Sequence, residues 1–117
     1  MNQQILRKIS PKELHAWLAK GFPQILLIDV REAQELVIAP FPFPVIHFPL
    51  SKASIWGGEL AETLLQSQAI VVICHSGFRS WNFGTWLIEQ GCSQEVWNLE
   101  GGIDAWSVDV DSTVPRY

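Results

Sequence analysis

An open α/β domain built on a largely parallel sheet is the fold that this sequence predicts. Three observations carry the prediction. Residues 25–30 (Ile-Leu-Leu-Ile-Asp-Val) and 69–74 (Ala-Ile-Val-Val-Ile-Cys) are apolar without alternation, the pattern of strands buried on both faces of a parallel sheet. Segments with helical features stand between the strand segments, which is the β-α-β alternation of an open α/β architecture. The chain has 117 residues, 48% of them hydrophobic and 17% charged, enough for one core and too few for two. One domain over residues 1–117 follows, with a core of about residues 5–106 and a tail over 107–117.

In chain order, residues 5–10 have the apolar content of a short first strand. Ser10-Pro11-Lys12-Glu13 then opens a helix. Ser10 is placed to cap it, Pro11 suits the first helical position, and Glu13 completes a capping box. Leu14, Trp17 and Leu18 follow at helical spacing, and Gly21 with Pro23 stops the helix. Residues 25–30 are the second strand. Residues 39–49 hold Pro40, Pro42, Pro44 and Pro49, so they read as extended chain, with a short edge strand over 45–48. After Gly57-Gly58, residues 59–66 have helical composition, and 69–74 form a buried strand. Residues 80–90 are the next helix, with Phe83, Trp86, Leu87 and Gln90 on one face and Gly91 at its end. A last strand over 95–99 precedes Gly101-Gly102, which opens a short helix through Trp106.

Composition excludes several function classes. Lys and Arg number 8 against 12 Asp and Glu, a formal charge of −4, and a nucleic-acid binder needs a basic footprint. No apolar run reaches the roughly 18–20 residues of a membrane helix. The opening Met1-Asn2-Gln3-Gln4 lacks the character of a secretion signal. Two cysteines, Cys74 and Cys92, are too few for a disulfide framework or a structural zinc site. The expectation is a cytoplasmic protein with free thiols, no metal, no cofactor, no nucleic acid and no membrane partner.

Ligands of open α/β sheets collect at the carboxyl ends of strands, near helix N-termini. Cys74 closes the strand over 69–74, and Ser80 is a candidate cap for the helix that follows. Between them lie His75, Ser76, Gly77, Phe78 and Arg79. So short a connection curls its backbone N–H groups toward one point, and the helix dipole adds to their pull on negative charge. Arg79 contributes a permanent cation. All three favour a charged, nucleophilic sulfur at Cys74. Gly77 permits the left-handed turn that such a cradle requires. Cys92, beyond a helix-ending glycine, has no such surroundings and reads as structural.

Residues 74–80, Cys-His-Ser-Gly-Phe-Arg-Ser, resemble the active-site loop of the rhodanese-like sulfurtransferases, whose pattern is Cys, two residues, Gly, one residue, Arg, Ser. Asp29-Val30-Arg31-Glu32 resembles the stretch after that family's second strand. Ile46-His47-Phe48-Pro49 resembles the strand leaving its variable loop, and residues 98–106 (Asn-Leu-Glu-Gly-Gly-Ile-Asp-Ala-Trp) resemble its closing signature. The resemblance implies a five-stranded parallel sheet with helices on both faces. It also implies that Cys74 takes the outer sulfur of a donor such as thiosulfate, as a persulfide, and passes it to cyanide, a thiol or a protein.

Two other readings are weighed against it. One is a binding or regulatory module of the same fold, or a sulfur-relay partner, with little turnover. Its mark would be a missing cysteine or a broken loop, and neither is seen. The other is a cysteine phosphatase or arsenate reductase. Phosphatases of the related fold place five residues between Cys and Arg, whereas four intervene here; the smaller cradle suits a single sulfur.

Departures from the family pattern set further expectations. Residues 40–45 (Pro-Phe-Pro-Phe-Pro-Val) put Pro44 where the family has a glycine. That stretch is a stiff surface loop or an exposed aromatic patch that docks a partner. Phe83 and Gly84 stand where small residues are usual, and Gly84 suggests close helix packing. Arg31 and Trp81 are candidates for the pocket edge, Arg31 alternatively pairing with Asp29. Arg79 either binds an anionic donor or braces the loop, and His75 either donates a proton or is a loop histidine without a role. The tail is a strap over the sheet, or resembles tails of rhodanese domains that relay sulfur to proteins.

Overall fold

The structure is a computed structural model and describes residues 4–21, 25–53 and 69–117. Its elements run β1 (Arg7–Ile9), α1 (Pro11–Ala19), β2 (Ile25–Asp29), α2 (Ala33–Ile38), β3 (Ile46–His47), a 3-10 turn (Leu50–Lys52), β4 (Ala69–Ile73), α3 (Phe78–Glu89), β5 (Glu95–Leu99) and α4 (Gly102–Asp109). The five strands form one sheet in the order β1-β5-β4-β2-β3, and every neighbouring pair is parallel. The helix expected over residues 59–66 lies outside the described residues.

Side chains of β4 alternate between two cores, one on each face. Val71 and Ile73 join Ile9, Leu14, Leu99, Ile103 and Trp106 on the side of α1 and α4. Ile70, Val72 and Cys74 join Ile28, Val30, Phe83 and Leu87 on the side of α3. Burial on both faces removes any need for polar alternation, and this is why β2 and β4 read as continuous apolar runs. The α1 cap forms as its residues dictate: Glu13 N–H donates to Ser10 Oγ and Ser10 N–H to Glu13 Oε1, both at 3.1 Å.

Three features depart from expectation. Helix α2 falls where the sequence signals no helix. None of its residues is fully buried; its first turn is held by Glu32 N–H donating to Glu35 Oε1 at 3.2 Å. Helix α3 begins at Phe78 with Gly77 as its cap, two residues before the expected start, so Ser80 is inside the first turn and does not cap. The Pro-Phe stretch is not an exposed aromatic patch, because Phe41 is buried and packs on Trp106 with ring centroids 4.7 Å apart. Phe43 meets the same indole edge-on at 6.1 Å. At Gly84 an added Cβ would stand 2.8 Å from Leu6 Cδ1 and 3.4 Å from Val96 Cγ1, the close packing expected there.

Candidate active site

Cys74 is the first residue past β4 and is only 1% exposed. The chain then turns through His75 and Ser76 to Gly77, whose φ of 103° is left-handed, a conformation open to glycine at little cost. That turn brings Gly77 N–H to 3.1 Å from Cys74 Sγ. From the first turn of α3, Ser80 Oγ reaches the same sulfur at 3.2 Å. Sulfur thus sits between a backbone donor and a hydroxyl, at the positive end of a twelve-residue helix.

A second helix fixes the loop from behind. The first N–H groups of α4 are directed at the active loop: Ile103 N–H donates to the Cys74 carbonyl (2.9 Å) and Asp104 N–H to the His75 carbonyl (3.0 Å). Those two carbonyls satisfy donors that a helix N-terminus otherwise leaves open. Gly102 makes this docking possible. Its φ is 62°, and an added Cβ would fall 2.4 Å from both carbonyl oxygens.

Arg79 does not point free into the mouth. Its Nη1 and Nη2 clasp Glu35 Oε1 and Oε2 at 2.7 and 2.8 Å, so it braces the loop against α2. The Tyr117 hydroxyl donates to Glu35 Oε2 (2.7 Å) and accepts from Arg31 Nη1 (3.1 Å). The Tyr117 ring stacks on His75, centroids 4.1 Å apart, and so the tail is tied to the active loop. Asp104 holds Arg116 at 2.9 Å, and Ser107 Oγ donates to the Val114 carbonyl at 2.6 Å. Arg79 holds the Glu35 carboxyl down at about 2, against the upward push of burial and with help from Tyr117. Burial raises the Tyr117 phenol to about 12.

The sign of the pH effect follows. A carboxylate depressed from 4.5 to about 2 stabilises the fold fully above 4.5, and that contribution fades as pH falls toward 2. Thermal unfolding followed from neutral pH downward should show the native chain losing stability in that interval. Glu35→Gln lacks the contribution at every pH, so the difference between the two should shrink steeply between pH 4.5 and 2 and vanish only below about 2. A difference that stays constant from neutral pH to pH 2 would contradict the pairing.

Arg31 is wholly buried. It donates from Nε and Nη2 to Asp29 at 2.9–3.1 Å, and His47 Nε2 donates to its carbonyl at 2.6 Å. Its Nη1 donates to the Glu35 carbonyl at 3.4 Å and to the Tyr117 hydroxyl at 3.1 Å. A groove of about 520 Å³ is lined by Ser76, Gly77, Phe78, Trp81, Lys8 and Glu100, among others. Phe78 is 77% exposed there and Trp81 38%, and the Lys8 ammonium stands 5.6 Å from the Trp81 ring centroid. Cys92 contacts Gln94, not Cys74, and burial pushes its thiol up. Among the described residues no cluster suits a metal ion, and no helix is long and apolar enough to cross a membrane.

Of the residues that the sequence singles out, Gly77 and Ser80 meet Cys74 at the sulfur, and Arg79 is turned to Glu35. The sequence does not single out Glu35 or Tyr117. Glu35 is 44 residues from Arg79 and Tyr117 is 82 from Glu35, separations that local patterns do not report.

The family model for the rhodanese-like domain matches residues 10–109. Over 115 residues the chain is 36% identical to rhodanese-like/PpiC domain-containing protein 12, chloroplastic, of Arabidopsis thaliana, covering 96% of this chain and 38% of that protein. The chain thus spans well under half of that relative's length. It is 26% identical over 96 residues to the thiosulfate sulfurtransferase GlpE of Pseudoalteromonas translucida (strain TAC 125), covering 76% of this chain and 90% of that one. Of the solved structures, a rhodanese homolog from the extremely thermophilic bacterium Thermus thermophilus matches at a TM-score of 0.61 and 32% identity, covering 85% of this chain and 99% of that one.

Proposed function

The chain belongs to the rhodanese-like domain family, and we propose that it transfers a sulfane sulfur from thiosulfate to a thiophilic acceptor through a persulfide on Cys74. The observation that carries this is the sulfur's setting: a single buried Sγ with Gly77 N–H at 3.1 Å and Ser80 Oγ at 3.2 Å. In the first half-reaction the Cys74 thiolate attacks the outer sulfur of thiosulfate. A new S–S bond forms, the old one breaks with its electron pair on sulfite, and a persulfide anion remains. In the second, the acceptor attacks the outer sulfur and the Cys74 thiolate returns. With cyanide the product is thiocyanate. Gly77 N–H and the dipole of α3 stabilise negative sulfur in both steps.

Arg79 supports sulfur over phosphoryl transfer. A guanidinium grips phosphoryl oxygens through paired N–H donors, and here Glu35 engages both terminal nitrogens of Arg79. The same pairing leaves little free positive charge for a dianionic donor. The KM for thiosulfate should therefore lie toward the upper end of the usual range of roughly 1 μM to 1 mM. Initial rates of thiocyanate formation, with thiosulfate and cyanide both varied, should give parallel double-reciprocal lines. Intersecting lines would overturn the persulfide route.

In the cell a thiol or a protein replaces cyanide, arriving over the exposed Phe78 and Trp81 beside the loop. The working compartment is a reducing one, the cytoplasm on this reading, because the cycle starts from a free thiol.

A further inference from the structure

The contacts that Gly77 and Ser80 make with the Cys74 sulfur are tied to one side chain. Asn98 in β5 is 5% exposed. Its Nδ2 donates to the Gly77 carbonyl at 3.2 Å, and its Oδ1 pairs with the Ser80 hydroxyl. A carbonyl oxygen only accepts, so Gly77 dictates which way the Asn98 amide faces. Oδ1 therefore lies toward Ser80, and Ser80 is the donor of that pair. Ser80 has one hydroxyl proton to give. While Asn98 holds it, the contact between Ser80 Oγ and Cys74 Sγ at 3.2 Å is a hydrogen bond only if the thiol donates. A negatively charged sulfur has no proton and needs the Ser80 hydroxyl turned toward it. Asn98 and the charged sulfur thus compete for a single proton.

We propose that Asn98 is a positioning residue for the sulfur chemistry, holding Gly77 in place through Nδ2 and setting through Oδ1 whether the Ser80 hydroxyl is free to serve the charged sulfur. The proposal rests on reading Cys74 as the nucleophile. When the thiol loses its proton to a buffer base, the Ser80 hydroxyl turns from Asn98 Oδ1 to Sγ, and Asn98 keeps its bond to Gly77. The exchange reverses when the sulfur is protonated again. No covalent bond of Asn98 or Ser80 changes.

The test is the rate of Cys74 alkylation by iodoacetamide, followed from about pH 5 to pH 10, in the native protein, Ser80→Ala, Asn98→Asp and the double variant. The charged groups around the loop (His75, Arg79, Glu35, Asp104, Lys8 and Glu100) stay in place throughout. Asn98→Asp sets a charged acceptor against the Ser80 hydroxyl and holds it there, and it also removes the Nδ2 donor to the Gly77 carbonyl. Alkylation at neutral pH should fall by about tenfold to a hundredfold, the worth of one hydrogen bond to a charged group, and the midpoint of the profile should rise. Ser80→Ala should fall in the same range, and the double variant no further than the slower single. Effects that multiply would overturn the shared path.

A second measurement needs no variant. In the native protein the Asn98 side-chain amide resonance should shift with the same midpoint as the alkylation profile; a flat response through that midpoint overturns the proposal. Neither readout uses a sulfur donor. Failure of the thiosulfate assay with both results intact would therefore count against the proposed function alone.

Discussion

Gly102→Ala should lower kcat/KM by about a hundredfold or more, the scale on which a displacement of about 1 Å at a reacting centre acts. The new Cβ would meet the carbonyl oxygens of Cys74 and His75 at 2.4 Å each, well inside van der Waals contact. These are backbone atoms, so no side chain can swing aside to relieve the clash. Either α4 withdraws or the loop shifts, and both remove the Ile103 and Asp104 bonds that hold the peptides behind the sulfur. Two other glycines separate this steric effect from the cost of a left-handed backbone. Gly21 and Gly91 have φ of 70° and 89°, and a Cβ added at either would meet nothing within 4 Å. Alanine at either should cost only about 1–2 kcal/mol of stability and leave turnover near native. If Gly102→Ala behaves like those two in paired assays of unfolding and thiocyanate formation, the docking of α4 is not what organises the loop.

The largest loss of stability should come from Arg31→Met. It strands Asp29, wholly buried, whose carboxylate then keeps the bond from the backbone N–H of residue 31 at 3.0 Å but no cation. Breaking a buried pair in this way costs roughly 3–5 kcal/mol, a large share of the about 5–15 kcal/mol that holds such a domain together. Denaturant unfolding reads the loss directly. Adding Asp29→Asn should restore part of it, because the uncompensated charge is removed. A loss below about 1 kcal/mol, typical of surface pairs, would show that the pair is not buried in solution. The same substitution frees the Tyr117 hydroxyl from one of its two partners, so the tail should loosen as well.

What is legible in the sequence is what is decided locally. The strands declare themselves because burial on two faces removes polar positions. The Ser10 cap and the cysteine loop are written in adjacent residues. Helix α2 is hidden because it is six residues long and buries none of them, leaving Val37 83% exposed. Phe41 and Phe43 lie in a proline-rich stretch whose composition suits surface and core alike; only Trp106, some sixty residues on, decides the matter. Ser80 has the residue type of a helix cap, yet Gly77 caps the helix and Ser80 serves the sulfur. The tie from Arg79 through Glu35 to Tyr117, and the Asn98 bridge between Gly77 and Ser80, depend on the folded chain. Each partner alone is an ordinary polar residue.

The central claim is that Cys74 carries the transferred sulfur, and intact mass tests it most directly. Protein incubated with thiosulfate should gain about 32 Da, one sulfur atom, and lose it on adding cyanide, with an equal amount of thiocyanate released. Cys74→Ser should show neither change. An equal gain on Cys74→Ser, or thiocyanate formed by the native chain with no sulfur ever held on it, would contradict the account.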